Sequence, residues 1–393
     1  MQQVVICNKR IAEVLPDNTS IETIQVEGVS VTVALIETDD TPFDPAAPGN
    51  EKRVLVKKRA FSCNYRDKAI VLSNAIKCNT EADEKVFFIS IGSDFVADVV
   101  GVGPEVKDLK PGDRVIGGGH YPSNKSEFPV GDDYKGYAVG LPTNNASRQL
   151  DIFHFKKLIK IPEQMSDEVA ATFTIGGITS YSMIRKLNIE QNDRVLITAA
   201  KSNTSLYALN ALKKYKKEKN IKIYAASTSM AFEKELKELG VDEILLVDTS
   251  LEHLFTEEAL KKIYAERIQF DCIIDPYWDL YLSKLVNYMA IGARYTTCGL
   301  EDQYSALIGR ENDTAAQGKR LSSAITAVMI SNIRIIGNCL GLDSDLQQAI
   351  NDHSAGNFDV QIDSVFTENN VGKFFERTYN AKDRWGKVVY KYS

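Results

Sequence analysis

This 393-residue sequence lacks clustered cysteines, long apolar runs and a recognisable export signal. No two of its six cysteines form a CxxC pair, so neither a zinc ribbon nor a disulfide framework is indicated. No stretch has the roughly 18 consecutive apolar residues of a membrane-spanning helix. The start, MQQVVICNKR, does not have the charged-then-apolar pattern of a secretory signal. We therefore expect a cytoplasmic protein that does not enter a membrane.

An excess of positive charge is also missing. The chain carries 47 Lys and Arg against 53 Asp and Glu, a formal net charge of −6. Nucleic-acid binding needs clustered cations, and the one basic run, residues 213–219, is typical of a solvated helix end. With 44% hydrophobic and 25% charged residues, the composition is that of a globular protein and excludes collagen, a coiled coil and wholesale disorder.

The chain up to residue 165 has the pattern of a β domain. Short apolar segments such as Val54–Lys57 and Phe87–Ile91 alternate with turn residues, among them Pro111-Gly112 and the three glycines at 117–119. Short strands between such turns are typical of a barrel-like β domain.

The pattern changes near Ser166, where strands and helices begin to alternate. The apolar runs that predict buried strands are Arg194–Thr198, Ile221–Ala226, Ile244–Val247, Phe270–Ile274 and Tyr295–Cys298. The helices predicted between them are Ser205–Lys217, Ala231–Leu239, Glu257–Ala265 and Leu280–Met289. Because these strands are apolar throughout, they predict a parallel sheet with helices on both faces. This is the doubly wound arrangement that binds nucleotides.

In such a sheet, the turn after the first strand holds the cofactor pyrophosphate at a helix N-terminus. Here that turn has the sequence AAKSNTS over residues 199–205, and the GxGxxG pattern is absent. Ala and Ser are small enough to let a backbone come fairly close to a phosphate. One interpretation is a hydroxyl-rich phosphate cradle, and the other is a plain helix cap without a ligand. The candidate cradle residues are Ser202, Asn203, Thr204 and Ser205.

The second strand ends in Ser227, Thr228 and Ser229, without the Asp or Glu that binds the ribose hydroxyls of NAD. These hydroxyls and nearby Lys234 would tolerate a 2′-phosphate instead. If a dinucleotide binds, the sequence therefore favours NADPH over NADH, although Ser and Thr are also ordinary residues at the end of a strand.

Several segments resemble, in order, the medium-chain dehydrogenase/reductase family, and in particular its zinc-free quinone and enoyl reductase branch. They are FSCNYRD (61–67), GSDF (92–95), VVGVG (99–103), LKPGDRV (109–115), GYA (136–138), IGGITSY (175–181) and DRWGKVV (383–389). The resemblance covers roughly residues 50–393. The segments FSCNYRDK and AAKSNTS are also similar to a narrower group, the lanthipeptide-type dehydroalanine reductases.

The resemblance implies a GroES-like β-barrel domain over residues 1–170 and a Rossmann doubly wound parallel-sheet domain over 171–341. Residues 342–393 would return to the first domain. It also implies that the active cleft lies between the two domains and that a nicotinamide hydride passes there to a carbonyl-activated double bond. Members of the family often dimerise by pairing Rossmann sheet edges, so a homodimer through the strand Arg334–Ile336 is expected.

The zinc-binding members of the family use a Cys, a His-Glu pair and a further Cys or Asp. In this sequence Asn64 stands at the position of the Cys, Ser93 stands at that of the His, and Cys63 lies one place early. Neither Asn nor Ser is a good zinc ligand. The clustered cysteines of the structural zinc lobe are absent as well. We therefore predict that no metal is bound.

Without a metal, hydrogen-bond donors must stabilise the charge that forms on the acceptor. Hydride addition to the β carbon of an α,β-unsaturated carbonyl builds enolate charge on oxygen, and the α carbon then needs a proton. The catalytic candidates are Tyr65 as a phenolic donor, Arg66 as a charged donor, Asn64 as a polar cleft-lining group and Cys63 as an acid. The alternatives are a structural Arg66–Asp67 ion pair and a Cys63 that acts as a small buried hydrophobe.

Further residues are expected around the cofactor and the substrate. Thr179 would approach the cofactor, as the matching Thr does in the family. Ligands bind at the carboxyl ends of parallel strands, which places four residues at the nicotinamide: Thr297, Cys298, Gly299 and Leu300. The substrate-pocket candidates are Asp94, His120, Tyr277 and Trp278.

Three functions remain open at this point. The first is an NADPH-dependent reductase of an activated C=C bond, whose substrate is a small enone or quinone, or a dehydroalanine that becomes alanine in a modified peptide. The second is a carbonyl reductase of the alcohol dehydrogenase type, which the missing Cys and His disfavour. The third is a non-catalytic dinucleotide-binding protein, which the glycine-free loop favours.

Overall fold

The computed structural model describes residues 1–16, 20–80, 85–118, 145–309 and 314–393, with 314–320 described by their backbone. The chain divides into two compact units. Unit 1 comprises Met1–Ile175, Tyr304–Arg310 and Gln361–Ser393, and unit 2 comprises Gly176–Gln303 and Glu311–Val360.

The first segment of unit 1 contains nine strands within the described ranges. They are β1 (Gln2–Cys7), β2 (Ile21–Val26), β3 (Val29–Glu37), β4 (Arg53–Ser62), β5 (Phe88–Ser90), β6 (Asp94–Val102), β7 (Arg114–Gly117), β8 (Leu150–His154) and β9 (Leu158–Lys160). The helices are α1 (Tyr65–Thr80), α2 (Asp167–Ala170) and α3 (Phe173–Leu187), the last of which continues into unit 2.

Unit 2 alternates strands and helices. The strands are β10 (Arg194–Ile197), β11 (Lys222–Ser227), β12 (Glu243–Leu246), β13 (Phe270–Asp275), β14 (Met289–Thr297) and β15 (Arg334–Gly337). The helices are α4 (Asn203–Lys219), α5 (Glu233–Glu238), α6 (Glu257–Ala265), α7 (Trp278–Leu285), α8 (Thr314–Ile330) and α9 (Asp343–Ser354).

The six strands of unit 2 form one parallel sheet in the order β12-β11-β10-β13-β14-β15. β11 and β13 are almost entirely buried, as expected for apolar strands covered on both faces. This strand order is the Rossmann order, in which the carboxyl ends of the two central strands form the ligand-binding edge. The predicted doubly wound parallel sheet is therefore confirmed.

The final segment returns to unit 1 with β16 (Ile362–Thr367), α10 (Val371–Tyr379) and β17 (Lys387–Lys391). The strands of unit 1 form an antiparallel sheet β2-β3-β1-β5 and a larger sheet β16-β17-β4-β6-β7-β9, with β8 also paired to β4. Phe61 joins these segments in the core, because its ring lies 5.4 Å from the rings of both Phe374 and Tyr390. This pairing places Lys387 of β17 beside the end of β4.

The sequence predicts mostly strands before residue 165, so α1 is an unexpected element. A capping signal was present, since the Asp67 carboxylate accepts a hydrogen bond from the backbone N–H of Asn64 at 2.7 Å. The buried face of the helix is formed by Val71, Leu72, Ala75 and Cys78, at helical spacing. This face is hard to recognise in the sequence, because the first turn of the helix lies in the polar FSCNYRDK segment and carries charged residues.

The structure places the two unit boundaries 5 and 19 residues later than the sequence did, at 175/176 and 360/361. The second shift arises because α9 packs within unit 2. Arg185 of α3 forms two hydrogen bonds with Asp345 at 2.7 and 2.8 Å, and the Tyr181 hydroxyl donates to Asp352 at 2.9 Å.

Each helix within the described ranges is too short or too polar to span a membrane.

Candidate functional site

The four predicted catalytic residues lie where β4 ends and α1 begins. Cys63 is buried, whereas Asn64, Tyr65 and Arg66 are half-buried. Tyr65 is the first residue of α1, and its ring centroid lies 6.3 Å from that of Tyr304. The end of a strand in the larger sheet and the first turn of a helix therefore fix this segment.

The side-chain amide of Asn64 bonds to three buried groups. Its Nδ2 donates to Asp94 Oδ2 at 2.7 Å and to Ser93 Oγ at 3.2 Å, and its Oδ1 accepts from Lys387 Nζ at 2.8 Å. Both ends of the amide are committed to the interior of unit 1. Asn64 is thus suited to hold neighbouring groups in place.

Lys387 is a buried cation that the sequence analysis quoted in a motif but did not select. Its Nζ donates to the carbonyl oxygen of Cys63 at 3.2 Å and lies 3.5 Å from Asp94 Oδ2, in addition to its bond to Asn64. Lys387 is 1% exposed and Asp94 is fully buried. Burial lowers the pKa of the Lys387 ammonium, and Asp94 and Asp67 oppose that shift. We name these four groups (Lys387 Nζ, Asn64, Asp94 and the Cys63 carbonyl) the ammonium cage.

Asp67 and Ser93 extend the cage toward Arg66. The Ser93 hydroxyl donates to the buried Asp67 carboxylate, which also lies 3.2 Å from Arg66 Nη1. Burial raises the pKa of Asp67, against the effect of the Arg66 charge. The structural ion pair weighed as the alternative role of Arg66 is thus present.

Burial also raises the pKa of the Cys63 thiol well above its ordinary value, with Asp67 adding to the effect. A thiol with a raised pKa is a weak acid. Asp94, selected from the sequence for the substrate pocket, instead lies inside unit 1, where its second oxygen accepts from the backbone N–H of Ile175 at 3.0 Å. His120 lies outside the described residues.

The donor set of the cage does not fit a zinc ion. Asn64 Oδ1 and Asp94 Oδ2 already face an ammonium group, which would repel a second cation. Neutral amide and hydroxyl oxygens are poor zinc ligands. Over the described ranges, no three His, Cys, Asp or Glu side chains gather as a metal site.

In unit 2, the loop between β10 and α4 begins with a left-handed residue. Ala199 has a φ of +43°, a conformation that glycine adopts easily and that costs a residue with a Cβ about 1 kcal/mol. This is the turn at which a glycine-rich loop would carry glycine. The loop therefore takes a glycine-like shape without the glycine.

Two of the predicted cradle hydroxyls support the loop itself. Ser202 caps α4 by accepting from the backbone N–H of Ser205 at 3.2 Å. Ser205 is fully buried, and its Oγ donates to the carbonyl oxygen of Thr198 at 2.7 Å. Asn203 and Thr204 are half-buried in the first turn of this 17-residue helix, whose first N–H groups have no intrahelical partner. The helix end can accept a phosphate there.

The cation at the end of β11 comes from the loop. Lys201 Nζ donates to Ser229 Oγ at 3.1 Å. The side chain of Lys234, which the sequence analysis selected, is 84% exposed and lies 3.8 Å from Glu238. Ser227 is buried and donates to the carbonyl of Ser229, whereas Thr228 is exposed. The contact between the Lys201 side chain and the end of the second strand could not be predicted from residue spacing.

The remaining predicted cofactor residues lie at the carboxyl end of β14 and on α3. The Thr297 hydroxyl is buried and has no hydrogen-bond partner among the described residues. Half-buried Cys298 has its pKa raised to about 12 by burial of its thiol. A Cβ at Gly299 would lie 2.9 Å from the carbonyl oxygen of Pro276. Leu300 is exposed and Thr179 is buried.

Tyr277 and Trp278 follow β13 at the same edge of the sheet. Trp278 donates its backbone N–H to Gly299 at 3.2 Å, and its side chain is partly exposed. An orphaned hydroxyl, a helix N-terminus and a lysine at the second strand are the features that a dinucleotide uses at this edge. The residues of unit 2 therefore fit such a cofactor.

Comparisons with known proteins agree with these features. Residues 50–163 match the model of the alcohol dehydrogenase GroES-like domain. The chain is also similar to the acryloyl-coenzyme A reductase of Sulfurisphaera tokodaii. The two are 22% identical over 354 residues, which cover 88% of this chain and 93% of the relative.

Two solved structures illustrate the likeness in fold. One is a short chain alcohol dehydrogenase of Escherichia coli in complex with NADH, with a TM-score of 0.68, 17% identity and coverage of 100% of this chain and 99% of that one. The other is the quinone oxidoreductase of Coxiella burnetii, with a TM-score of 0.61, 16% identity and coverage of 95% and 98%. The GroES-like domain match and the Rossmann strand order agree with the fold that the resemblance to the medium-chain dehydrogenase/reductase family implies.

Proposed function

We propose that this protein is an NADPH-dependent oxidoreductase that reduces a C=C bond activated by a carbonyl group. The observation that carries the proposal is the ammonium cage, in which Lys387 Nζ is bonded to Asn64 Oδ1 at 2.8 Å. Because the cage oxygens already hold a cation, hydrogen-bond donors of the protein must stabilise the charge on the acceptor. Such donors can stabilise the enolate oxygen that forms when hydride adds to a carbonyl-activated C=C bond.

The similarity to an acryloyl-coenzyme A reductase supports an acrylic acceptor. A dehydroalanine residue contains the same terminal CH₂=C–C=O unit, attached to an amide nitrogen. An acryloyl thioester and a dehydroalanine peptide therefore require the same chemistry and differ in the size of the group that must be accommodated. We include both in the proposed substrate class.

NADPH, when bound, supplies a hydride from the nicotinamide ring. The first turn of α4 at Asn203 and Thr204 would bind the pyrophosphate, and Lys201 with Ser229 would bind the 2′-phosphate. The unpartnered Thr297 hydroxyl would accept or donate at the nicotinamide end. These roles use the N–H groups of the first turn of α4, the Lys201 ammonium beside Ser229, and the Thr297 hydroxyl, which has no partner among the described residues.

In unit 1, Tyr65 would donate a hydrogen bond to the carbonyl oxygen of the acceptor. Lys387 would act as a positioning residue, since it holds Cys63 and Asn64, the two residues before Tyr65. The hydride that the cofactor would supply would add to the β carbon, and the electron pair of the C=C bond would move to the carbonyl oxygen, where Tyr65 would stabilise the charge. A proton would then add to the α carbon, which completes the reduction of the C=C bond.

An acceptor panel tests this function. We expect the protein to consume NADPH with an acryloyl thioester or a dehydroalanine peptide and to leave a simple aldehyde unreduced. A chelator should not change the rate, and product masses should be those of the saturated compounds. Reduction of the aldehyde that disappears on chelation would contradict the proposal, because it would indicate a metal-dependent carbonyl reductase.

The choice between NADPH and NADH depends on Lys201. Replacing it (Lys201→Gln) should weaken NADPH binding about tenfold or more, because a hydrogen bond to a charged phosphate contributes about 1.5–3 kcal/mol. NADH binding should stay unchanged. Fluorescence titration measures both affinities, and Lys217→Gln on the exposed surface of α4 is the control. A loss of NADPH binding in Lys234→Gln but not in Lys201→Gln would contradict the proposed role of Lys201.

The ammonium cage should be needed for turnover. Lys387→Met should destabilise the protein by about 3–5 kcal/mol, because it leaves the buried Asp94 carboxylate unpaired. The double variant Lys387→Met/Asp94→Asn removes both charges and should recover most of this stability without recovering kcat. Thermal unfolding and steady-state kinetics measure the two effects.

The matched control is Lys391→Met, on the same strand, whose ion pair with Glu168 at 2.9 Å is partly exposed. It should change stability by less than about 1 kcal/mol and leave kcat unchanged. Full activity in the double variant would show that Lys387 serves folding alone.

We also propose a homodimer formed through β15. This strand lies at the edge of the six-stranded sheet, next to an exposed apolar patch. The patch comprises Ile291, Met329 and Ile330, and these residues are 82, 73 and 76% exposed. The backbone N–H of Gly292 bonds to Ser331, so these residues are neighbours.

Light scattering after gel filtration tests the dimer. We expect a mass near twice 43.7 kDa for the wild type and a shift toward the monomer for Ile330→Glu. Tyr264→Glu, at an exposed position on α6, should leave the mass unchanged. A monomeric wild type would contradict the proposal.

A further inference from the structure

Asp275 is a fully buried carboxylate at the carboxyl end of β13. It accepts three hydrogen bonds: from Thr198 Oγ1 at 2.5 Å, from the Tyr295 hydroxyl, and from the backbone N–H of Tyr277 at 2.9 Å. Two neighbouring strands and the start of α7 therefore meet at one carboxylate. Nothing in the proposed chemistry uses Asp275 directly.

Thr198 is held at each of its polar atoms. Its hydroxyl bonds to Asp275, its N–H donates to the carbonyl of Ile274 at 3.1 Å, and its carbonyl accepts from Ser205 Oγ at 2.7 Å. The next residue is Ala199, with its left-handed backbone. A loop without glycine must be held in this conformation by its surroundings, because Ala does not favour it.

We propose that Asp275 is a positioning residue for the dinucleotide, which fixes Thr198 and thereby the shape of the loop from Ala199 to Ser205. The inference rests on the proposed binding of a dinucleotide by unit 2. It predicts that the carboxylate acts on the cofactor without touching it, and that NADPH and NADH are affected alike. Lys201, by contrast, distinguishes the two cofactors.

The electrostatic surroundings of Asp275 agree with a functional carboxylate. The titratable groups that face it are Tyr295 and Cys298 of the β14 end, and Asp279 and Tyr281 of α7. No cation forms an ion pair with it in the described part of the chain. Burial raises its pKa to about 6, against the opposing effect of its hydrogen bonds.

The direction of the Asp275 pKa shift determines how the ionised carboxylate affects the stability of the fold. Because the pKa is higher in the folded than in the unfolded protein, the folded protein takes up a proton first as the pH falls toward 6. The ionised carboxylate at neutral pH therefore destabilises the fold relative to its protonated form. A carboxylate that accepts from both hydroxyls fixes their orientation, whereas a protonated carboxyl must donate one of its bonds.

The test compares two matched threonine variants in the apoprotein and with ligand. Thr198→Val removes the hydroxyl that Asp275 holds. Thr296→Val removes a buried hydroxyl of β14 that has no partner among the described residues. We expect about tenfold weaker NADP⁺ and NAD⁺ binding by calorimetry for Thr198→Val and no change for Thr296→Val. Amide exchange of residues 198–205 in the apoprotein should be faster only in Thr198→Val.

The pH profile separates positioning from a structural role. Asp275→Asn resembles the protonated carboxyl, so it should bind NADP⁺ about tenfold more weakly than the wild type near pH 8 and equally near pH 5. Titration of the 2′-phosphate of NADP⁺ affects binding to both proteins equally, so it does not change the comparison between the wild type and Asp275→Asn. The melting temperature of Asp275→Asn near pH 8 should equal or exceed that of the wild type, whereas a structural carboxylate would lower it.

The outcomes are distinguishable. If the wild type binds neither dinucleotide, the proposed function fails. If the wild type binds and Thr198→Val or Asp275→Asn binds equally well at each pH, the inference about Asp275 is wrong and the proposed function stands.

Discussion

A buried ammonium group is stable only when oxygen atoms accept its hydrogen bonds. In the candidate site of unit 1, neighbouring residues supply these oxygens to Lys387. Lys387 is 1% exposed, so Asn64 Oδ1, Asp94 Oδ2 and the Cys63 carbonyl replace the hydration of its ammonium group. These contacts tie the last strand of the chain to the end of β4 and the first turn of α1. The same contacts commit the Asn64 amide to the interior and leave the acceptor to other donors, of which Tyr65 is the candidate.

In unit 2, the loop that follows the first strand contains no glycine, so other contacts must hold its shape. The left-handed backbone at Ala199 is kept by hydrogen bonds to the residue before it and by the Ser202 cap after it. Thr198 directly follows β10, and Asp275 ends the adjacent strand β13, so the sheet itself sets the loop. A loop without glycine is thus compatible with a cofactor site, because hydrogen bonds hold Ala199 in a conformation that glycine would adopt without such support.

The parallel sheet could be predicted from the sequence because each of its strands is an apolar run between helical segments, a pattern with few alternatives. α1 was missed because charged residues of its first turn hide its apolar face. The contact of Lys387 with Asn64 joins residues 323 positions apart. Likewise, the reach of Lys201 to Ser229 depends on the path of a flexible side chain. Neither contact follows from spacing, so the motifs predicted the candidate segments but not the lysines that lie beside them.

The destination of the hydride tests the account most directly. The protein is incubated with NADPH that carries deuterium at both C4 positions and with an acryloyl thioester, and the product is analysed by NMR and mass spectrometry. The account predicts one deuterium on the β carbon and one solvent hydrogen on the α carbon of a saturated thioester. Deuterium on the former carbonyl carbon of an alcohol would contradict it, because the protein would then reduce carbonyl groups.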